Sequence, residues 1–203
     1  MTGWTTHEGT AVVLPLADID TDQIIPARFM STPRSQGYGG YLLHDLRRDG
    51  GGAPRVDFPL EACPGADVLV AGPNFGSGSS REAAVYALVD AGFRAVLAPG
   101  FGDIFAGNAV NNGLLPARID ADLYAALAAL PSACAPPVRI DLEVMRLVIG
   151  DRTASFALDE SWRVKLINGW DDIDLTRQHR GRIDAFRDHR RWAAPWAWPA
   201  AAD

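Results

Sequence analysis

The chain has 203 residues, 48% hydrophobic and 22% charged, with a formal net charge of −6. This is ordinary globular usage, with a length that suits one domain plus extensions and buries about 70% of the unfolded chain's surface. It excludes bulk disorder and a globally basic nucleic-acid binder. No apolar run reaches the ~18 residues of a membrane span, and the opening MTGWTTHEGT does not read as a secretory signal. Two cysteines, Cys63 and Cys134, make no disulfide framework and by themselves hold no iron–sulfur cluster. A reducing, cytoplasmic setting is expected, with no nucleic-acid partner and no membrane.

In chain order, Gly9 to Leu16 reads as a short strand. Asp18 to Pro26 (DIDTDQIIP) favours side-chain-capped turns over sheet. Ser31 to Pro54 holds eight glycines and prolines and is expected to form a long loop, a setting that often carries function. Ala66 to Ala71 reads as a buried strand, Gly72 to Gly78 as a glycine-rich turn, and Ser80 to Ala91 as a helix stopped at Gly92. A strand over Phe93 to Ala98, a helix over Ile104 to Asn112 and a strand over Leu114 to Ile119 follow. Asp120 then caps a helix running to Leu130. This alternation predicts an α/β layer with parallel strands. Beyond Pro131 to Pro137 come three short strands, Val138 to Val144, Arg146 to Ile149 and Thr153 to Leu158, the last two joined by a Gly150-Asp151 turn. Two helices close the chain, Glu160 to Asn168 and about Asp172 to Arg191, with a break expected at Gly181. Residues 1–191 are expected to be one domain, and 192–203 a flexible Trp/Pro/Ala-rich tail.

Arg177 to Arg191 holds six arginines against Asp184 and Asp188. Such a basic helix face is either solvated or docked on an acidic partner.

The segment Gly72-Pro73-Asn74-Phe75-Gly76-Ser77-Gly78-Ser79-Ser80-Arg81-Glu82 joins a strand to a helix. Helix starts present unpaired N–H groups and a positive dipole end, so such loops suit anions. Arg81 stands where a dinucleotide fingerprint needs glycine, no lysine is present for a phosphate-cradling loop, and no serine has the two glycines of a hydrolase elbow. Two compatible readings remain. Ser79 caps the helix with Glu82 reaching back, or Gly76 and Gly78 bring the backbone to a carboxylate that Arg81 grips bidentately while a serine is free for proton chemistry. His7, His44, His179 and His189 have no metal-ligand spacing. Asp18, Asp20 and Asp22 lack the glycine and late glutamate of a calcium loop. Asn108, Asn111 and Asn112 read mainly as a helix end.

Together with Asp20-Thr21-Asp22-Gln23-Ile24-Ile25-Pro26, Gly100-Phe101-Gly102-Asp103-Ile104-Phe105-Ala106-Gly107-Asn108 and Asn168-Gly169-Trp170-Asp171-Asp172-Ile173-Asp174-Leu175-Thr176, that loop resembles the small subunit of 3-isopropylmalate dehydratase. This family is the separate swivelling domain of the aconitase superfamily, and the likeness runs from about Gly9 to Arg187. It implies an α/β fold, an aconitase-type swivelling β/β/α domain with C-terminal helices. It also implies interconversion of 2- and 3-isopropylmalate by dehydration and rehydration, in leucine biosynthesis. No cofactor is implied in this chain; a 4Fe–4S cluster is implied in a large-subunit partner, with a small diacid as substrate. Residue by residue, Ser79 matches the family's general base and Asp22 an acidic active-site residue. Ser80 and Arg81 match groups that bind a substrate carboxylate.

Ala83 replaces the family's histidine, and Arg34-Ser35-Gln36-Gly37 stands where the family has Thr-Arg-Thr-Gly. Either Arg34 substitutes for the family arginine as a substrate-binding residue from one position earlier, or the loop recognises another side group. Two alternatives follow: a related hydro-lyase for another 2-hydroxy diacid (citramalate, a homocitrate-type acid or dimethylmalate), or a non-catalytic partner module with the same fold.

Overall fold

The computed structural model describes residues 2–78, 81–131 and 136–198. Among these, seven strands are present: β1 (Thr6–Leu14), β2 (Val68–Ala71), β3 (Ala95–Ala98), β4 (Leu115–Arg118), β5 (Pro137–Asp141), β6 (Arg146–Ile149) and β7 (Arg152–Ser155). They form one sheet in the order β4-β3-β2-β1-β5-β6-β7. The strands β1 to β4 run parallel, and β5 to β7 add on antiparallel through β1. Thr6 to Thr10 of β1 pair with β5, and Ala11 to Leu14 pair with β2.

The two ends of the sheet meet. Arg118 in β4 and Ala157, just past β7, form an antiparallel bridge with N–O distances of 3.2 and 2.8 Å. The curled sheet encloses an inner core of Ala11, Val13, Val68, Val70, Leu97, Leu115, Ile140 and Leu147. The alternate residues Val12, Leu14, Leu69, Val96 and Ala98 face a second core on the outer side. Strand side chains alternate with period two, so a strand covered on both faces must be apolar throughout.

The helices among the described residues are α1 (Thr21–Ile24), α2 (His44–Arg47), α3 (Pro59–Ala62), α4 (Glu82–Asp90), α5 (Asp103–Asn111), α6 (Ala121–Ala128), α7 (Glu160–Asn168), α8 (Asp172–Arg177) and α9 (Arg180–Ala193). The outer core is roofed by α4 and α5 through Ala84, Val85, Leu88 and Phe105. Leu123 and Leu127 of α6 and Leu166 of α7 reach the inner core. Asp120 caps α6 as expected, its Oδ1 accepting from Leu123 N at 2.6 Å.

Two expectations are corrected. The stretch 31–54 is not one open loop but contains α2 and short 3-10 turns at Arg34–Gln36 and Gly39–Tyr41. The final helix divides at Gln178 and His179 rather than at Gly181. A capping box between Asp171 and Asp174 starts α8, and the Arg180–Asp184 ion pair spans the first turn of α9, which holds Gly181. That helix continues to Ala193, and Pro195–Ala197 makes a further 3-10 turn.

Candidate active site

The parallel strands share one carboxyl edge, and ligands of such sheets sit beyond it. Here the loops after β1, β2 and β3 are stitched together past the ends of the strands. Gly76 N donates to Ile19 O at 2.7 Å, and Thr21 N donates to Ser77 O at 3.0 Å. Phe75 N donates to Gly100 O at 3.1 Å, and Gly102 N donates to Phe75 O at 3.0 Å. Asn74 Nδ2 adds a side-chain tie to Asp18 Oδ1 at 2.8 Å. The three sequence motifs, 20–26, 72–82 and 100–108, are therefore one surface.

Glycine is required at two of these positions by the closeness of approach. Gly76 has φ +74°, and a Cβ there would lie 2.2 Å from Phe105 Cγ. A Cβ on Gly102 would lie 2.5 Å from Gly76 O. The turn after β2 thus presses directly on the first turn of α5. The result is a cavity of about 210 Å³ lined by Thr21, Gly76, Ser77, Gly78, Arg81 and the segment Gly102 to Phe105. The starts of two nine-residue helices, α4 and α5, border it. Their free N–H groups and the Arg81 guanidinium make it suited to an anion.

Arg81 forms an ion pair with Asp22, 59 residues away in sequence. Arg81 is mostly covered and Asp22 half exposed. The guanidinium that a ligand carboxylate would engage is thus paired, through one nitrogen, with a carboxylate of the chain itself. Ser79 and Ser80 lie outside the described residues. The expected capping by Ser79 falls there too; α4 begins at Glu82 with Arg81 at its N-cap, in extended conformation and without a side-chain cap. Glu82 accepts from Asn112 Nδ2 at 2.9 Å. Ala83 packs against the outer core.

Arg34 is held elsewhere. It forks onto Asp90 at 2.6 and 2.9 Å, with its guanidinium 4.4 Å over the Tyr86 ring. Tyr38 N donates to the same Asp90 carboxylate at 2.6 Å. Burial and the neighbouring Glu82 carboxylate push the Tyr86 phenol up. Asp90 is the last residue of α4, about 13 Å of helix rise from Arg81. The structure therefore brings Asp22 and Arg81 together and anchors Arg34 at the far end of the same helix.

The sequence reading gave no role to Thr21, 1% exposed, or to the α5 start. The signal for the latter was present: Gly100-Phe101-Gly102 is a second glycine-bounded turn from strand to helix. A larger cavity of about 500 Å³, lined by residues such as Pro116, Arg118, Leu158 and Trp162, lies on the other side of that turn. It receives neither the 20–26 nor the 72–82 loop. Among the described residues no three His, Cys, Asp or Glu side chains are placed to hold a metal ion.

Sheet, loops and cavity define an aconitase-type domain, and residues 1–122 match the family described as Aconitase C-terminal domain. The chain is 42% identical to the 3-isopropylmalate dehydratase small subunit of Rhodospirillum centenum, over 97% of this chain and 99% of that one. It is 46% identical to the protein of that name from Anaeromyxobacter dehalogenans, over 91% and 96%. A crystal structure of 3-isopropylmalate dehydratase (leuD) from Methanocaldococcus jannaschii superposes with a TM-score of 0.65 at 29% identity, covering 90% of this chain and 99% of that one. The chain belongs to the family of 3-isopropylmalate dehydratase small subunits.

Proposed function

We propose that the chain is the small subunit of a 3-isopropylmalate dehydratase, a hydro-lyase that interconverts 2- and 3-isopropylmalate by removing and re-adding water, in leucine biosynthesis. It acts in the cytoplasm as one swivelling domain, residues 1–191, paired with a large subunit. The observation that carries the reading is the cavity where three motif loops, two helix starts and the Asp22–Arg81 pair converge. No helix among the described residues is long and apolar enough to cross a membrane.

In this reading Arg81 and Ser80 bind a substrate carboxylate, which displaces Asp22 from the arginine fork. The two helix starts favour the same negative charge. Ser79 takes the proton from the carbon beside that carboxylate. A serine is a weak base, and its anionic form is stabilised by the Arg81 charge and nearby backbone N–H groups. Asp22, released, is left at the cavity mouth as a second carboxylate for proton or water positioning. Arg34, one helix length away, acts through the loop from Ser31 to Gln36 on the substrate's side group. Closure of the small domain over the ligand excludes water. The residues of this chain do not fit an iron–sulfur cluster, since Cys63 is buried and iron–sulfur clusters usually take four thiolates. We place a 4Fe–4S cluster in the large subunit, where it supplies Lewis-acid chemistry.

The test is co-expression with the cognate large subunit. An oxygen-sensitive brown complex that hydrates isopropylmaleate is expected, with this chain alone colourless and inactive. A stoichiometric cluster on the isolated chain, or a complex inert towards isopropylmaleate but active on citramalate, overturns the assignment.

A further inference from the structure

The C-terminal helix α9 has no buried residue along its fourteen positions. Phe186 is 68% exposed, Trp192 81% and Ile183 41%. A helix of this length is marginal unless a face is packed. At 3.6 residues per turn, Arg182, Phe186, His189 and Ala193 form one stripe. Ile183 and Arg190 flank it on one side, Ala185 and Trp192 on the other. On the opposite face the arginines are engaged within the chain: Arg180 and Arg187 pair with Asp184 at 2.8 and 3.1 Å, Arg187 lies 3.4 Å from Asp188, and the Arg191 guanidinium stacks 4.8 Å over the Trp198 ring. Arg182 and Arg190, set within the apolar arc, have no ion pair among the described residues.

We propose that this arc of α9 is the docking face for the large subunit, seated in an apolar groove that carries carboxylates opposite Arg182 and Arg190. The inference rests on the dehydratase reading, which requires such a partner. The placement of charge selects the occupant. An anionic membrane surface calls for free cations on the polar face, and here Arg180 and Arg187 are taken by Asp184 and Asp188 and Arg191 by the Trp198 ring. Self-pairing of two copies through the arc would bring the free arginines of each copy near those of the other. An acidic, apolar protein groove satisfies both the aromatic and the cationic groups.

The experiment measures association of the full chain with its purified large subunit by sedimentation and by binding kinetics at two salt concentrations. Phe186→Ala is expected to weaken binding at least tenfold, the size of an anchor residue at an interface. The double variant Arg182→Glu with Arg190→Glu is expected to slow association and reduce its salt dependence. At saturating large subunit kcat is expected to stay at the wild-type value, since α9 lines no part of the Arg81 cavity. Circular dichroism checks that each variant is folded. Unchanged affinity in both variants overturns the docking face and leaves the dehydratase reading standing. So does Phe186-dependent binding to phosphatidylserine vesicles, or Phe186-dependent dimerisation, with large-subunit affinity intact. Failure of the wild-type chain to bind the large subunit overturns both.

Discussion

The two halves of the sheet solve different problems. In the parallel half β2 and β3 have every residue buried, because helices cover one face and the inner core the other. In the antiparallel half β6 alternates exposed and buried, with Leu147 and Ile149 inward and Val148 37% exposed. The parallel half ends in loops that must approach closely, and there the cavity forms. The antiparallel half ends in tight turns and completes the inner core. The candidate cavity lies beyond the ends of strands held on both faces, which fix their terminal loops in place.

The sharpest break of this comparison is Ser79→Ala. In the reconstituted enzyme kcat is expected to fall about 10²–10⁴-fold, the range for a lost acid–base group, with substrate binding retained. Retention of more than about a tenth of wild-type kcat moves the base elsewhere. The matching core series compares strands. Leu69→Ala and Leu97→Ala, on opposite faces of the parallel half, are each expected to cost about 2–5 kcal/mol in urea unfolding. In β6 Leu147→Ala should fall in that range, with Val148→Ala within about 0.5 kcal/mol of wild type. Equal costs at 147 and 148 would mean that the outer face of β6 is covered in solution.

Gly76→Ala probes the close approach itself. A left-handed backbone carrying a Cβ costs about 1–2 kcal/mol, before the collision with Phe105 is counted. Lower stability and a raised KM are expected together, and a wild-type KM would show that the turn does not shape the cavity. The smallest effect concerns pH. Lys165, 5% exposed, donates to Asp172 and, at 3.1 Å, to Asn111 Oδ1. The Lys165 ammonium and the Asn111 amide hold the Asp172 carboxyl below its ordinary value. That stabilisation is complete above the ordinary carboxylate pKa of about 3.9 and is lost as pH falls below it. The gap in urea midpoint between wild type and Asp172→Asn should therefore be constant from pH 8 to 5 and close towards pH 3. A gap that persists at pH 3 assigns it to packing.

The parallel half was the more legible in sequence. Val68 to Ala71 and Ala95 to Ala98 are unbroken apolar runs between glycines, and their helices follow with 3.6-residue spacing. Asp120 and the Gly150 turn were also legible, because capping and turns are decided within four residues. What was not legible depends on distant groups. No local pattern announces that Glu82 accepts from Asn112, 30 residues on. Nor does the sequence near Arg34 announce its ion pair with Asp90, 56 residues away. The Asp22–Arg81 pair joins two motifs that the family resemblance had brought under one heading without a contact between them. Local chemistry is written in local sequence; pairing across 50 residues is set by how strands align.

One consequence of the sheet order concerns synthesis on the ribosome. The first strand made is an inner one, and its partners arrive late: Asp67, which accepts from Thr10 N, follows 57 residues on, and Arg139, which pairs with Glu8, 131 residues on. Until β5 emerges, Thr6 to Thr10 offer an unsatisfied edge, the kind of surface that recruits other strands. The nascent chain is therefore most prone to aggregate between completion of the parallel half and emergence of β5, a window that slow translation would lengthen.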